Sequence, residues 1–337
     1  MDNITLDRFR HALTKHRDTL LEWINTDSPH KEVHFGSANS KDVFHVISEL
    51  KDAIERIDSR EFGHCTECNG EVEPERLALD FTTCVCLDHY SKDQIHALEN
   101  DLELAAKVQR QLLPGYIPSL PGMQIAVHAE SARVVGGDYF DFYQYDSSSA
   151  QGVALADVMG KGLPASILMS NLQASLRILG PEHHELHNLA VRLNKLFRYN
   201  LTLIRFITIF LVKIDIESGI MHYCNAGHNP SLWWHAASHS IRWLHPTGPA
   251  IGLTHDPEYM SKTISLNSGD LILLYTDGLT EARNPKAEEF GEQRLASYIK
   301  DHVGDSSDNI LLGLRQAAAN FAGGFQDDVT ILVFKVQ

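Results

Sequence analysis

Apolar residues follow three regimes along the 337-residue chain. Over residues 1–60, Val43, Val46, Ile47, Leu50, Ile54 and Ile57 recur at three- and four-residue steps, which predicts amphipathic helix with one apolar stripe. Residues 61–90 lose that period and are rich in Cys. A second helix then opens at Ser91-Lys92-Asp93-Gln94, a capping box in which Ser and Gln each satisfy the other's backbone N–H. Its apolar positions Ile95, Leu98, Leu102, Ala105 and Leu112 step by three and four, with Gln109 in the missing place, until Pro114-Gly115 stops the run. Such a seam fits two arrangements. The helix lies on its own domain, or it pairs with a second copy as a signalling helix, with the polar Gln109 setting register.

From about residue 120 the pattern turns to short apolar segments bounded by turn residues. Strands are predicted over 124–129, 139–145, 153–157, 206–214, 220–225, 231–235, 271–275 and 329–336, and helices over 163–179, 185–199, 292–301 and 309–321. Ser147-Ser148-Ser149 reads as a turn. Strands and helices come in runs and not in strict alternation, which argues against a doubly wound parallel sheet. Two packed sheets flanked by helices, an α+β class, fits better. The expected organisation is a helical region over 1–60, a Cys-rich insert over 61–90, a linker helix over 91–114 and a large catalytic domain over 115–337.

An apolar content of 43% is enough for a core, and no apolar run reaches the length of a membrane span. The opening Met1-Asp2-Asn3-Ile4 has neither the basic nor the apolar region of a signal peptide, so a cytoplasmic protein with no membrane partner is expected. A formal charge of −15 argues against nucleic acid as a partner. Four of the five Cys crowd between Cys65 and Cys86, and this odd, clustered count suits a metal site better than a disulfide framework.

Two constellations carry chemistry. Cys65-x2-Cys68 and Cys86-x2-His89 are short-spaced pairs of the kind that make a tetrahedral Cys3His site for one structural Zn2+. An insert with so few apolar residues needs that staple to fold. Cys84 is a spare thiol or a substitute for Cys86, and His64 is a weaker candidate. The second constellation is acidic: Gly136-Gly137-Asp138, Asp157-Val158 within a Gly-rich turn, Thr276-Asp277-Gly278 and Asp327-Asp328-Val329-Thr330. Two of these aspartates end apolar strands and one pair precedes another. Carboxylates converging from separate strands repel one another unless a hard divalent cation neutralises them. The spacing therefore points to a two-metal hydrolase.

Residues 61–72, with Pro74-Glu75-Arg76-Leu77 and the preceding Ala53-Ile54-Glu55-Arg56-Ile57, resemble the zinc finger of the DksA/TraR family, with His89 where that family usually has a fourth Cys. That resemblance covers residues 40–90 and implies contact with RNA polymerase, against which stands a structural or sensory role. From about residue 100 onward the chain resembles the metal-dependent serine/threonine phosphatases (PPM), in the branch typified by the stage II sporulation E phosphatase. The resemblance rests on Leu112-Leu113-Pro114, Arg133 through Asp141, Ala156 through Gly162, Asn225-Ala226-Gly227-His228-Asn229-Pro230, Leu274 through Gly278 and Asp327 through Thr330. It implies an α-β-β-α sandwich with two Mn2+ or Mg2+ ions at the edge between the sheets.

Within that resemblance Asp157 is the expected bridging ligand, and Val158 contributes only its backbone carbonyl. Asp277 and Asp327 complete one metal's shell, with Asp328 as the alternative to Asp327. Asp138 is expected to orient a water beside the metals, with Asp141 a weaker neighbour. Arg133 matches an arginine that holds phosphate, a task that suits a guanidinium fork. Met159 stands where many eukaryotic relatives carry a general-acid His. Protonation of the leaving oxygen then falls to water at the metals, or the rate is modest. His228 is read as part of a hydrogen-bonded turn, and Trp233, Trp234 and Trp243 as residues that pack against or cover a sheet. The implied substrate is a phosphorylated small regulatory protein, such as an anti-anti-sigma factor, attacked by a metal-activated water. The alternative is a transcription-associated protein that binds polymerase through the finger and keeps a non-catalytic phosphatase scaffold.

Overall fold

The computed structural model describes residues 40–79, 81–145, 149–160, 162–200 and 206–337, and scattered positions between 6 and 21. Within these ranges, the side chains of residues 40–46, 75, 78, 79, 199 and 200 are not described. The expected turn at Ser147-Ser148 and most of the expected helix before residue 40 therefore lie outside the described residues, as do the side chains of Val43 and Val46. The chain divides into two compact units, with the boundary between Asn100 and Asp101.

In the first unit, helix α1 (Ser40–Asp58) presents Ile47, Leu50, Ile54 and Ile57 as one buried stripe. The stripe packs with Phe62, Val72, Leu77, Cys65 and Cys86 in a single small core. A short helix α2 (Pro74–Leu79) and a single 3-10 turn (Leu87–His89) follow. Two of the four predicted zinc ligands, Cys65 and Cys86, are thus also core residues.

Helix α3 (Lys92–Leu112) starts with the predicted capping box. Ser91 N donates to Gln94 Oε1 at 2.8 Å and Gln94 N donates to Ser91 Oγ at 3.2 Å. The second compact unit includes α3 from Asp101 onward. Ala106 and Gln109 are buried, whereas Ile95 and Leu98 in the first half are exposed. The C-terminal half of the seam lies on its own domain.

The second unit is a sandwich of two five-stranded antiparallel sheets. One sheet has the order β1 (Met123–Glu130), β10 (Val329–Val336), β9 (Leu271–Tyr275), β6 (Ser231–His235) and β7 (Ser240–Leu244). The other runs β2 (Tyr139–Gln144), β3 (Gln151–Val158), β4 (Ile207–Asp215), β5 (Ile220–Ala226) and β8 (Lys262–Ser265). Helices α4 (Leu163–Glu182) and α5 (Leu186–Asn200) belong to the second sheet's outer face. A one-turn helix α6 (Asp277–Thr280) precedes α7 (Gly291–His302) and α8 (Ser307–Ala322) on the first sheet's outer face.

The two-residue period of each strand divides its side chains between two dry layers. Val153 and Leu155 of β3 meet Leu332 and Phe334 of β10 between the sheets. Ala154, Ala156 and Val158 face Met169, Leu172 and Leu193 of the helices, and Ile331 and Val333 face Leu314 and Ile310. Trp233 lies between the sheets and Trp234 lies under the helices, so the tryptophans pack as expected. Strands β7 and β8 were not predicted. Both are sheet edges, and their side chains are mostly half-buried or exposed, so their sequences lack the apolar alternation that marks the others.

Candidate active site and metal centres

Antiparallel pairing brings the acidic motifs to one edge. Strand β3 ends just after Asp157 while its neighbour β2 begins just after Asp138, with Tyr139 opposite Ala156. Strand β9 ends at Tyr275, two residues before Asp277, while β10 begins just after Asp328, with Ile331 opposite Tyr275. A strand end in one sheet and a strand start in its neighbour share the same rim, and both sheets do this.

Asp138 is held across the two sheets. Its Oδ2 accepts from Thr276 Oγ1 and from Thr330 Oγ1, each at 2.7 Å, and Thr330 N donates to Thr276 Oγ1 at 2.9 Å. The carboxyl titrates well above the usual range, first because it is buried and then because the Asp157 charge is near. Both threonines sit inside the quoted motifs, yet their role was not anticipated. A hydroxyl one residue before one aspartate and two after another was the available signal.

Asp328 behaves differently from Asp327. Its Oδ1 accepts from Ala132 N at 2.9 Å and its Oδ2 from Gly137 N at 2.7 Å, so both oxygens fasten the turn before Asp138. Asp327 Oδ1 accepts from Asp328 N at 3.0 Å. Gly137 has no room for a side chain: a Cβ there would lie 2.8 Å from the Val158 carbonyl oxygen and 3.6 Å from Asp157 Oδ1. Gly278 is equally constrained, since a Cβ would overlap the Asp328 carbonyl at 2.1 Å. The two glycines let the Asp138, Asp157, Asp277 and Asp327 segments approach through backbone alone. The cradle presents carboxylates and one peptide carbonyl, a donor set of hard oxygens that fits Mg2+ or Mn2+ and does not suit a soft metal.

Arg133 is exposed beside this rim, with no carboxylate partner among the described residues. Asp141, expected as a weak neighbour of Asp138, is turned elsewhere. It is buried and accepts from Tyr139 OH at 2.5 Å, Phe142 N at 2.9 Å and Arg177 Nε at 2.9 Å, so it ties β2 to α4. His228 is buried between the sheets: Nδ1 meets Thr208 Oγ1 at 2.9 Å and Nε2 meets the Tyr275 carbonyl at 3.1 Å. Burial lowers its pKa to about 4, so the ring is neutral and joins β4 to β9 in place of acting as an acid. Met159 is partly exposed at the rim. A cavity of about 550 Å3 opens beside Asp327, lined by Glu281, Arg283, Asn284 and Gln326 among others.

In the first unit Cys65, Cys68, Cys86 and His89 come together, with one ligand atom from each lying within 4.8 Å of all the others. Among the described residues they are the set of potential ligands gathered that closely; the rim aspartates are more open. Cys65 Sγ accepts from Cys86 N at 3.4 Å, Cys68 Sγ accepts from Gly70 N at 3.3 Å, and Cys68 and Cys86 Sγ are 3.7 Å apart. Burial would raise the Cys65 thiol, but backbone N–H groups of Cys86, Cys68 and Glu67 bring it down to about 6. Burial and the neighbouring sulfurs push Cys86 up to about 11. Three sulfurs and one imidazole so close together suit Zn2+. Cys84 stands outside the cluster, its carbonyl accepting from Thr66 N at 2.8 Å.

A rim of strand-end carboxylates between two helix-flanked sheets defines the PP2C-type phosphatase fold. Residues 147–337 match the family described as Stage II sporulation protein E (SpoIIE), and the chain belongs to that family. It is 28% identical to the phosphoserine phosphatase RsbU of Bacillus subtilis over 221 residues, 64% of this chain and 65% of that protein. It is 30% identical to the phosphoserine phosphatase RsbP of the same organism over 226 residues, 64% of this chain and 53% of RsbP. The matched part thus spans just over half to just under two-thirds of these curated relatives. Among solved structures, the RsbU and RsbW domains of Rv1364c from Mycobacterium tuberculosis align with a TM-score of 0.60 at 26% identity, over 67% of this chain and 63% of that one. The SiaA-PP2C domain of Pseudomonas aeruginosa aligns with a TM-score of 0.63 at 21% identity, over 72% and 98%, a likeness of fold. Among the described residues, no helix is long and apolar enough to cross a membrane.

Proposed function

We propose that this chain is a metal-dependent protein serine/threonine phosphatase, hydrolysing a phosphoserine or phosphothreonine on a small regulatory protein. One observation carries the reading. Asp138 and Asp328 are bound into a cradle of backbone and threonine hydroxyls beside Asp157, an arrangement whose crowded negative charge needs cations to be stable. Asp157, the Val158 carbonyl, Asp277 and Asp327 would hold two Mn2+ or Mg2+ ions. Bound there, the ions neutralise charge on the phosphoryl oxygens and acidify the attacking water. Asp138 would orient that water, its own carboxyl fixed by Thr276 and Thr330. Arg133, exposed and without a carboxylate partner, would take two phosphoryl oxygens with its guanidinium fork. Asp328 is assigned to the turn and Asp327 to the metal, because both oxygens of Asp328 already accept backbone N–H groups.

The Cys65, Cys68, Cys86 and His89 cluster is proposed to hold one structural Zn2+, and the match to the phosphoserine phosphatases RsbU and RsbP supports a phosphorylated regulatory protein as substrate. Of the helix expected to pair over residues 91–113, the first half, with exposed Ile95 and Leu98, is the part that supports pairing with a second copy. The test of the catalytic reading is Mn2+-dependent phosphate release from a phosphoserine protein, wild type beside Asp157→Asn and Asp277→Asn. The reading expects activity that needs the metal and collapses in both variants. Folded wild type that releases no phosphate from any phosphoprotein under either metal contradicts it.

A further inference from the structure

We propose that Gln109 is a positioning residue of the metal rim, holding the Gly136 peptide and through it the turn that carries Gly137 and Asp138. The inference rests on reading the aspartate rim as a divalent-cation site. Gln109 is 9% exposed, although it lies on a helix whose other polar residues face water. Its carboxamide meets one peptide group from both directions. Nε2 donates to the Gly136 carbonyl at 2.6 Å, and Gly136 N donates to Oε1 at 3.1 Å. A side-chain amide here does what a neighbouring strand would do, in a segment that belongs to neither sheet. The seam left two readings open, a helix on its own domain or one paired with a second copy in register through Gln109, and the bonds Gln109 makes are within one chain.

The turn is held from its opposite side by Asp328, through Gly137 N and Ala132 N. Gly136 is wedged between the two: a Cβ there would lie 2.5 Å from Asp328 Oδ2 and 2.8 Å from Ser131 Oγ. Asp138 follows two residues later and Gly137 abuts the Val158 carbonyl, so the turn has little slack. Loss of the carboxamide leaves a buried N–H and a buried carbonyl unpaired, and the backbone must move to reach water. That movement is transmitted to Gly137 and the Val158 carbonyl, and so to the cation's own oxygens. Helix α3 is fastened nearby as well, since the Leu112 carbonyl accepts from Arg177 Nη2 at 3.3 Å. Gln109 is therefore fixed on a helix that cannot easily follow a shifted turn.

The test uses the full chain with Gln109→Ala and Gln109→Leu, the second filling the space without hydrogen bonds, and with exposed Lys107→Gln as the control on the same helix. Mn2+ binding is read by calorimetry and by electron paramagnetic resonance, independently of turnover. Both Gln109 variants are expected to bind Mn2+ about tenfold more weakly, as is usual for groups that orient metal ligands. Their kcat at saturating Mn2+ should stay within about threefold of wild type, and Lys107→Gln should change neither. Mn2+ affinity within about twofold of wild type in the folded variants overturns the proposal, as does a fall in kcat at saturating metal with affinity unchanged. A wild type that binds Mn2+ but hydrolyses no phosphoprotein would sink the phosphatase reading and leave this test intact. A wild type that binds no Mn2+ would overturn both.

Discussion

The two proposed ion sites of this protein are built in opposite ways. The Cys65, Cys68, Cys86 and His89 set is closed and local: it spans 25 residues of sequence, its ligand atoms lie within 4.8 Å of one another, and two of its sulfurs sit in a core. The aspartate rim is open and assembled from distant segments, with Gly137 and Asp328 bonded across 191 residues of sequence. Soft donors packed round a point leave no free coordination position, which is how structural zinc is held. Hard donors spread along a rim leave positions for water and phosphate, which is what catalysis needs. Zinc in the first site would fold its surroundings. The second depends on a fold already made, and both its sheets must be in register before Thr276 and Thr330 can reach Asp138.

Variants can break this contrast or sharpen it. The largest effect is expected at the open site. Asp277→Asn should lower phosphate release by about a thousandfold, roughly 4 kcal/mol of transition-state stabilisation, with the fold retained by circular dichroism. Loss of the fold instead would make the rim structural and erase the contrast. At the closed site, Cys86→Ser should reduce bound zinc, measured by elemental analysis, from one equivalent to nearly none. It should also destabilise the first unit by about 3 kcal/mol or more in urea. Zinc content that survives this change would point to another ligand.

His228 tests how firmly the two sheets are joined beneath the rim. Its folded pKa of about 4 lies below its unfolded value, so the unfolded chain takes up the proton first as the medium is acidified. The stability it contributes is present above about pH 6.5 and is lost progressively toward pH 4. Between pH 7 and pH 5 wild type should lose about 2 kcal/mol more than His228→Gln in urea unfolding. Equal losses would mean the ring is not held neutral. The smallest expected effect is at Arg133. Arg133→Lys keeps the charge but not the fork, and kcat/KM should fall about tenfold, mostly in KM. An unchanged KM would remove Arg133 from phosphate binding.

The sequence was most readable where local rules and the tertiary fold agree. Strands β6, β9 and β10 match the predicted ranges at both ends, since their apolar runs are buried on both faces and bounded by turn residues. Strands β7 and β8 escaped because an edge strand has fewer neighbours to bury against, and so carries a weaker pattern. The aspartates were legible from their positions at strand ends, but their division of labour was not. Asp327 and Asp328 are adjacent in sequence, and only the resemblance set Asp327 ahead of Asp328; in the structure the N–H groups of Ala132 and Gly137 take both oxygens of Asp328. The sequence left Gln109 between two roles for a related reason: a polar residue in a heptad seam looks the same whether its partner is another helix or a peptide of its own domain.

The central claim is that the open rim is a divalent-metal phosphatase centre. The most direct measurement titrates Mn2+ into metal-free protein while following bound metal and phosphate release from a phosphoserine protein in the same samples, beside Asp157→Asn. The account predicts that activity appears as two ions bind at the rim, in addition to any zinc in the cysteine cluster. Asp157→Asn should lose both the binding and the activity. Phosphate release that persists in metal-free protein, or that continues in Asp157→Asn at wild-type level, would contradict it.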